Sequence, residues 1–297
     1  MQDIKFIIEN PELIKAGAVK KQVKVDIDQI VELYQKRNEI LQTTEKLRAR
    51  QNEVSKLIPQ TEDKKTLLNE MTKVKEELKT LEPQISELED QIDEIAIQVP
   101  NPPHESVPEG KSDEENQVAR THGQKPQFDF EPKDHITLGK ALDIIDIEAG
   151  TKTSGSRFYY LKNEAALLEF ALVQFVIHKL LKKGFNPVIP PVLVKEEAMY
   201  ATGFFPADRN EIYRVNPDED DLYLVGTSEV PLTMLHADQI IEDTKFPIRY
   251  AGYSSCFRRE AGSYGKDTAG IIRVHQFNKI EMFSFCHPEK SWEEHEL

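Results

Sequence analysis

The chain is short of cysteine, of uninterrupted apolar sequence and of positive charge, and each shortage removes a class of protein. Two cysteines, Cys256 and Cys286, with no paired metal-ligand spacing, argue against a disulfide framework and against a zinc site. Both fall in strand-like segments, where a buried reduced thiol is the ordinary state. The longest apolar run, Ala165 to Leu181, is broken by Glu169, Gln174, His178 and Lys179, so no membrane span is expected. The opening Met1-Gln2-Asp3-Ile4-Lys5 has no basic stretch leading into an apolar one, which points away from a secretory signal and toward a cytoplasmic protein. Lysine and arginine total 38 against 52 aspartates and glutamates, a formal net charge of −14. A chain this acidic binds nucleic acid only if its basic residues are clustered. Its 297 residues suggest two domains.

What is present begins with periodicity. Asn10 caps a short helix with Pro11 at its first position. From Ile27 to Ile58, Leu33, Ile40, Leu47 and Val54 recur every seven residues, with polar Arg37, Thr44 and Gln51 at the other seam positions. Beyond Pro59-Gln60-Thr61-Glu62-Asp63, a second run starts at Leu67 and passes through Met71, Val74, Leu78, Leu81, Ile85, Leu88, Ile92, Ile95 and Val99. Its steps alternate four and three without a slip. Two heptad helices joined by a short turn predict an antiparallel coiled-coil hairpin, with Pro83 bending its second helix. The first helix carries Lys36, Arg37, Lys46, Arg48, Arg50 and Lys56 interleaved with Glu39, Glu45 and Glu53. That mixture suits a structural or dimerising coiled coil as well as a phosphate-binding one.

Pro100-Asn101-Pro102-Pro103-His104 ends the second helix, and a polar stretch containing Asp113-Glu114-Glu115 marks a linker. The expected organisation is a helical hairpin over 1–100, a linker over 101–134 and a mixed α and β domain over 135–297. Within that domain Ile136 to Ile147 reads as a short helix. Asn163 caps a longer helix to Lys183 that is apolar around most of its circumference and is expected to be largely buried, with Gly184 as its C-cap. Thr227 and Glu229 fall by alternation on one face at a strand end just before a helix, and Ser228 points away. They suit a helix N-cap with a carboxylate near the dipole, or a hydroxyl and a carboxylate that together hold an ammonium group.

The densest chemistry lies in Cys256-Phe257-Arg258-Arg259-Glu260 and in the stretch from Arg273 to Glu281. The segment between them holds Gly262, Gly265 and Gly270. Two alternating runs around a Gly-rich connection predict an antiparallel pair. Alternation puts Arg258 and Glu260 on one face of the first strand. It puts Arg273, Phe277 and Glu281 on one face of the second, with Val274, Ile280 and Met282 opposite. A mixed-charge surface hairpin accounts for the charges. A ligand face accounts also for the aromatic ring among them, which can stack on a base while the arginines hold phosphate or carboxylate oxygens.

Phe257-Arg258-x-Glu260, a Gly-rich loop and Arg273-x-x-x-Phe277 resemble motif 2 of the class II aminoacyl-tRNA synthetases. The fuller runs, Cys256 to Ser263 and Arg273 to Glu281, resemble the seryl-tRNA synthetases in particular. Gly184 to Leu193, with Pro191, is similar to motif 1, and Thr227-Ser228-Glu229 to the family's Thr-x-Glu loop, with Ser228 where alanine is usual. The resemblance implies an α+β fold: an N-terminal antiparallel two-helix coiled coil, then a class II antiparallel sheet flanked by helices. It implies ATP-dependent activation of serine to seryl-adenylate and transfer to a serine tRNA, with the selenocysteine tRNA a further candidate.

The resemblance also assigns roles. Arg258 is the implied catalytic residue, bridging the α-phosphate and the serine carboxylate. The implied ATP-binding set is Arg258, Arg259, Glu260, Arg273, Val274 and Phe277. Glu260 would accept from the adenine amino group, Phe277 stack on the ring, Arg273 hold the outer phosphates and Val274 lend its backbone. Arg259 stands where the family has a small residue and lies off the ligand face, so it has no side-chain role. The implied serine-binding set is Thr227, Ser228, Glu229, Arg258 and Glu281. The hairpin would lie along the long variable arm of the tRNA, reading phosphate and shape, with Arg37, Lys46, Arg48, Arg50 and Lys56 as candidate contacts. The motif 1 segment would join two copies in a homodimer. No stretch resembles motif 3, so its arginine and the ligands for Mg2+ are expected outside this sequence, and the sheet is expected to be incomplete. The alternative is a tRNA-binding chain that does not adenylate.

Overall fold

The structure, a computed structural model, describes residues 2–61, 63–261 and 269–297. Most of the Gly-rich segment that follows Glu260, Gly262 and Gly265 included, lies outside the described residues. The chain divides into two compact units, Met1–Gln124 and Lys125–Leu297.

The first unit is helical. Asp3 caps α1 (Ile4–Glu9) by accepting from the Lys5 amide, and Pro11 opens α2 (Pro11–Lys20). Asn10 occupies the N-cap position of α2, but its side-chain amide donates backward to the Phe6 carbonyl at 3.1 Å, closing α1 instead. Asp26 and Asp63 then cap α3 (Ile27–Leu57) and α4 (Lys64–Ala96) through the Gln29 and Thr66 amides. These long helices form the expected antiparallel hairpin. Every predicted seam position on both is buried or half-buried. Thr44 shows how a polar seam residue is tolerated: it is 1% exposed, and its hydroxyl donates to the Ile40 carbonyl at 2.9 Å. At the open end, α1 and α2 contribute Ile7 and Ile14 to a core with Ile27, Ile30, Leu33, Ile92 and Ala96. Pro83 lies inside α4, which runs on through it without interruption.

The second unit begins with α5 (His135–Ala141), β1 (Ile145–Asp146), α6 (Ile147–Ser154) and β2 (Tyr160–Leu161). The single helix expected over Ile136 to Ile147 is therefore split. Asp143 takes a left-handed φ of 55°, which ends α5, and Ile145–Asp146 pairs with β2. Then come α7 (Asn163–Leu181), β3 (Asn186–Val188), β4 (Leu193–Lys195), α8 (Glu196–Ala201), β5 (Arg214–Val215), β6 (Leu222–Leu224) and α9 (Glu229–Met234). The unit closes with β7 (Ile248–Phe257), β8 (Gln276–Phe285) and α10 (Ser291–Glu296). Gly184 ends the turn after α7 with a φ of +81°, as a C-cap glycine should.

Two three-stranded sheets carry the unit. In one, β7 and β8 form the predicted antiparallel pair, from Ile248 opposite Phe285 to Phe257 opposite Gln276, and β3 adds in parallel along β7. In the other, β6 runs antiparallel between β4 and β5. Two backbone bonds of 2.9 Å meet after β6: the Phe257 amide at the end of β7 donates to the Val225 carbonyl, and the Val225 amide donates to the Val192 carbonyl just before β4.

α7 is not buried as its composition suggests. Only Leu180 is enclosed; a stripe with Val176 and Ile177 meets Phe185, Ala251 and Ile280. Leu167, Phe170 and Phe175 are 67%, 64% and 65% exposed. The sheet covers one side of this helix, and an all-round apolar sequence does not say whether its other side meets this chain or another.

Candidate active site

Alternation overstated the strands. β7 stops at Phe257, so Arg258 and Glu260 are not strand neighbours: the Arg259 amide donates to the Glu211 carbonyl at 2.8 Å, and Glu260 takes a left-handed φ of 51°. β8 starts at Gln276, leaving Arg273 and Val274 outside it. The loop nevertheless gathers the expected side chains. Arg258, Glu260 and Arg273 line one cavity of about 330 Å3, whose floor includes Gly226, Ile212 and Val230. Arg273 donates to the Glu260 carboxylate from Nε. Glu211 anchors the loop twice, its backbone carbonyl receiving the Arg259 amide and its carboxylate the Ala261 amide at 2.9 Å. Val274 is 5% exposed and packs as a core residue.

Arg258 connects this cavity to a second group of residues. Its Nε donates to the Gly226 carbonyl at 3.2 Å, and its guanidinium carbon stands 5.3 Å from the centre of the Phe277 ring, within cation–π range. Phe277, Lys279 and Glu281 share one face of β8. The loop before α9 brings Thr227 onto that face: its hydroxyl donates to Glu281 Oε2 at 2.6 Å and accepts from Lys279 Nζ at 2.6 Å. Lys279 also forms an ion pair with Glu281. Burial pushes the Glu281 carboxyl up, but the Lys279 ammonium, the Thr227 hydroxyl and the Arg258 charge outweigh it and hold the group below its ordinary range.

Gly252, opposite Glu281 on β7, permits the close approach. A Cβ there would stand 2.7 Å from Leu232 Cδ1 and 2.9 Å from Ser228 Oγ. Ser228 is fully buried and donates to the Gly252 carbonyl at 3.2 Å, so it packs α9 against the sheet and does not face Glu281. Glu229 opens α9 and is exposed, with its amide 3.3 Å from Thr227 Oγ1. The Arg259 side chain is exposed and belongs to neither group. Cys256, enclosed behind the site, has its thiol pushed up by burial.

Residues 1–103 match the family described as "Seryl-tRNA synthetase N-terminal domain", and residues 213–296 the "tRNA synthetase class II core domain (G, H, P, S and T)". A serine–tRNA ligase of Nitrosopumilus maritimus is 42% identical over 300 residues, spanning 100% of this chain and 71% of the relative. One from Clavibacter michiganensis is 44% identical over 299 residues, spanning 100% and 70%. The chain belongs to the seryl-tRNA synthetase family. Its fold agrees with that of the solved seryl-tRNA synthetase from Pyrococcus horikoshii complexed with ATP, at a TM-score of 0.89 and 36% identity over 100% of this chain and 72% of that one. The cytoplasmic serine–tRNA ligase of Naegleria fowleri in complex with AMP gives 0.84 and 30%, over 99% and 69%. This chain is thus an aminoacyl-tRNA ligase by family, with an N-terminal helical arm and an α+β catalytic fold.

Within this synthetase, sequence reasoning passed over Lys279. The signal was there: it shares the parity of Phe277 and Glu281, so period two alone puts it on their face. The arm carries a different lesson. Arg37, Arg48 and Arg50 each bond a glutamate of the facing helix: Glu89 at 3.0 Å from Nε, Glu82 at 2.8 Å and Glu70 at 2.6 Å. Among the described residues Lys46 and Lys56 have no ion pair.

Proposed function

We propose that this synthetase activates serine with ATP and transfers it to a serine tRNA in the cytoplasm, through the residues gathered at the end of β7 and along β8. The observation that carries the reading is Arg258, which reaches from the cavity holding Glu260 and Arg273 to Phe277, next to the Thr227–Glu281 pair. The cavity and the Phe277 ring beside it suit a nucleotide: Arg273 for the outer phosphates, the Glu260 carboxylate for the adenine amino group, Phe277 for stacking. Thr227, Glu229 and Glu281 suit an amino acid that carries an ammonium and a hydroxyl. Two relatives of known structure hold ATP and AMP, which agrees with this reading.

The attacking carboxylate of serine is already ionised at neutral pH, so the chain need supply no general base. Arg258 would orient that carboxylate against the α-phosphate and offset the charge that builds there, so its contribution is alignment and electrostatic stabilisation. Mg2+ is expected to assist the phosphates. Among the described residues no cluster of three or more His, Cys, Asp or Glu could hold a metal ion. Charging of the selenocysteine tRNA belongs to the same reading through the arm, where Lys46 and Lys56 have no ion pair among the described residues and suit phosphate contact. The exposed face of α7, leading into the Pro191 segment, supports a homodimer of motif 1 type. For domain limits we take 1–100 as the tRNA-binding arm, 101–134 as the linker and 135–297 as the catalytic part.

Serine-dependent ATP–pyrophosphate exchange, with alanine and threonine as controls, tests the reading. Exchange that requires serine supports it. Retention of serine tRNA without exchange under any amino acid would make the chain a tRNA-binding protein that does not adenylate.

A further inference from the structure

The Thr227 hydroxyl has no bonding capacity left. A hydroxyl offers one proton and two lone pairs. The proton goes to Glu281 Oε2, one lone pair receives Lys279 Nζ, and the other faces the Glu229 amide at 3.3 Å. Thr227 itself is 3% exposed, so water does not compete for it. The Glu281 oxygen that takes the Thr227 proton also takes the Lys279 ammonium. The Thr227 hydroxyl and the Glu281 carboxylate, both in the amino-acid-binding set proposed above, therefore already hold a primary ammonium at the end of a carbon chain. That ammonium is intramolecular, and the side chain that carries it is 28% exposed.

We propose that Lys279 is an internal occupant of the amino-acid site: serine's α-ammonium must displace the lysine ammonium from Thr227 and Glu281, and this exchange sets the affinity for substrate. The inference rests on the serine-binding reading of that site. An exchange of one primary ammonium for another leaves Glu281 paired throughout, so its charge is never left bare. It also favours a ligand with a carboxylate and a hydroxyl beside its ammonium. A plain amine gains only what Lys279 gives up, whereas serine adds contacts to Arg258 and within the pocket.

Isothermal titration of serine into the full chain, wild type and Lys279→Met, decides the matter, with ATP titrated in parallel. Lys279→Met should tighten serine by about fivefold, the effect of losing a partly exposed competitor. ATP affinity should stay unchanged, and Lys279→Gln should fall between the two. A variant that binds serine more weakly than wild type, at an unchanged melting temperature, would make Lys279 a strut for Glu281 and overturn the exchange; so would equal affinities. Serine binding by Lys279→Met alone would be the same exchange in an extreme form. If ATP binds but serine binds to none of the three proteins, the serine-site reading itself fails, and the inference with it.

Discussion

Both units pair cations with carboxylates, and the two sets of pairs differ in kind. On the hairpin, Arg48 and Glu82 stand 2.8 Å apart with side chains 58% and 47% exposed, and each such couple bridges one crossing of α3 and α4. In the cleft, Lys279, Glu281 and Thr227 share partners beside the Arg258 charge, and Thr227 and Glu281 are largely withdrawn from water. An exposed pair is screened, whereas in a half-buried set with shared atoms one member can leave without cost only if another group takes its place. The same residue types thus hold the arm together in one place and prepare a substrate site in the other.

The contrast would break most visibly at Arg258. Arg258→Ala should lower the serine-dependent exchange rate by about 10²- to 10³-fold, the usual cost of removing a donor aimed at developing charge. Among the described residues its exposed side chain makes one hydrogen bond, to Gly226, so the melting temperature should barely move. A rate within a few-fold of wild type would remove Arg258 from the chemistry. Next in size is Glu281→Gln, which should weaken serine by about 10- to 100-fold while sparing ATP, since a charged acceptor is replaced by a neutral one. Equal loss of both ligands would mean that the site had collapsed and not that a contact was removed.

A smaller effect is expected where a shared pair is purely structural. Arg249 grips Glu294 from two nitrogens, Nε to Oε2 at 2.8 Å and Nη2 to Oε1 at 2.5 Å, and Ser284 adds a bond at 2.9 Å, docking α10 on β7 and β8. The Arg249 guanidinium holds the Glu294 carboxyl below its ordinary range. A carboxyl depressed on folding stabilises the fold above its unfolded pKa of about 4.3, and that contribution disappears as pH falls through the lower folded value. Glu294→Gln should therefore cost about 1 kcal/mol at pH 7 and progressively less below pH 4, read from the fluorescence of Trp292, the single tryptophan, on the same helix. A cost that persisted undiminished in acid would assign the stabilisation to packing and not to charge.

How much of this could be read beforehand follows the range of the forces involved. The hairpin was legible because a heptad is a local pattern, and Leu33 to Val54 and Leu67 to Val99 name their own partner face. The β7–β8 pairing was legible for the same reason. Strand ends were not: alternation continues on paper past Phe257, whereas the Glu211 anchors turn the real backbone there. The exposure of α7 was illegible because burial depends on what stands opposite. Asn163 illustrates it locally, being the first residue of α7 and not its cap, with its amide donating to the Asp143 carbonyl at 3.1 Å. Lys279 could have been placed by the parity it shares with Phe277 and Glu281, whereas β6 ends at Leu224 and the loop after it, not alternation, turns Ser228 toward Gly252.

The smallest expected effect tests the arm. Arg50 is the best-connected of its basic residues, reaching Glu70 at 2.6 and 3.1 Å and Glu53 at 2.8 Å, and these carboxylates push its own titration further upward. Because the Arg50 side chain is 42% exposed, Arg50→Ala should change stability little, and less still in high salt. A guanidinium already held by two glutamates has little to offer a phosphate. Retention of serine tRNA should therefore fall less in Arg50→Ala than in Lys46→Ala or Lys56→Ala, each of which removes an unpaired cation and should flatten the salt dependence of binding by about one counterion. If Arg50→Ala proved the most damaging of the three to tRNA binding at unchanged stability, its glutamate pairs would be a resting state that the tRNA opens. The arm would then work by the same ionic exchange inferred for Lys279 in the cleft.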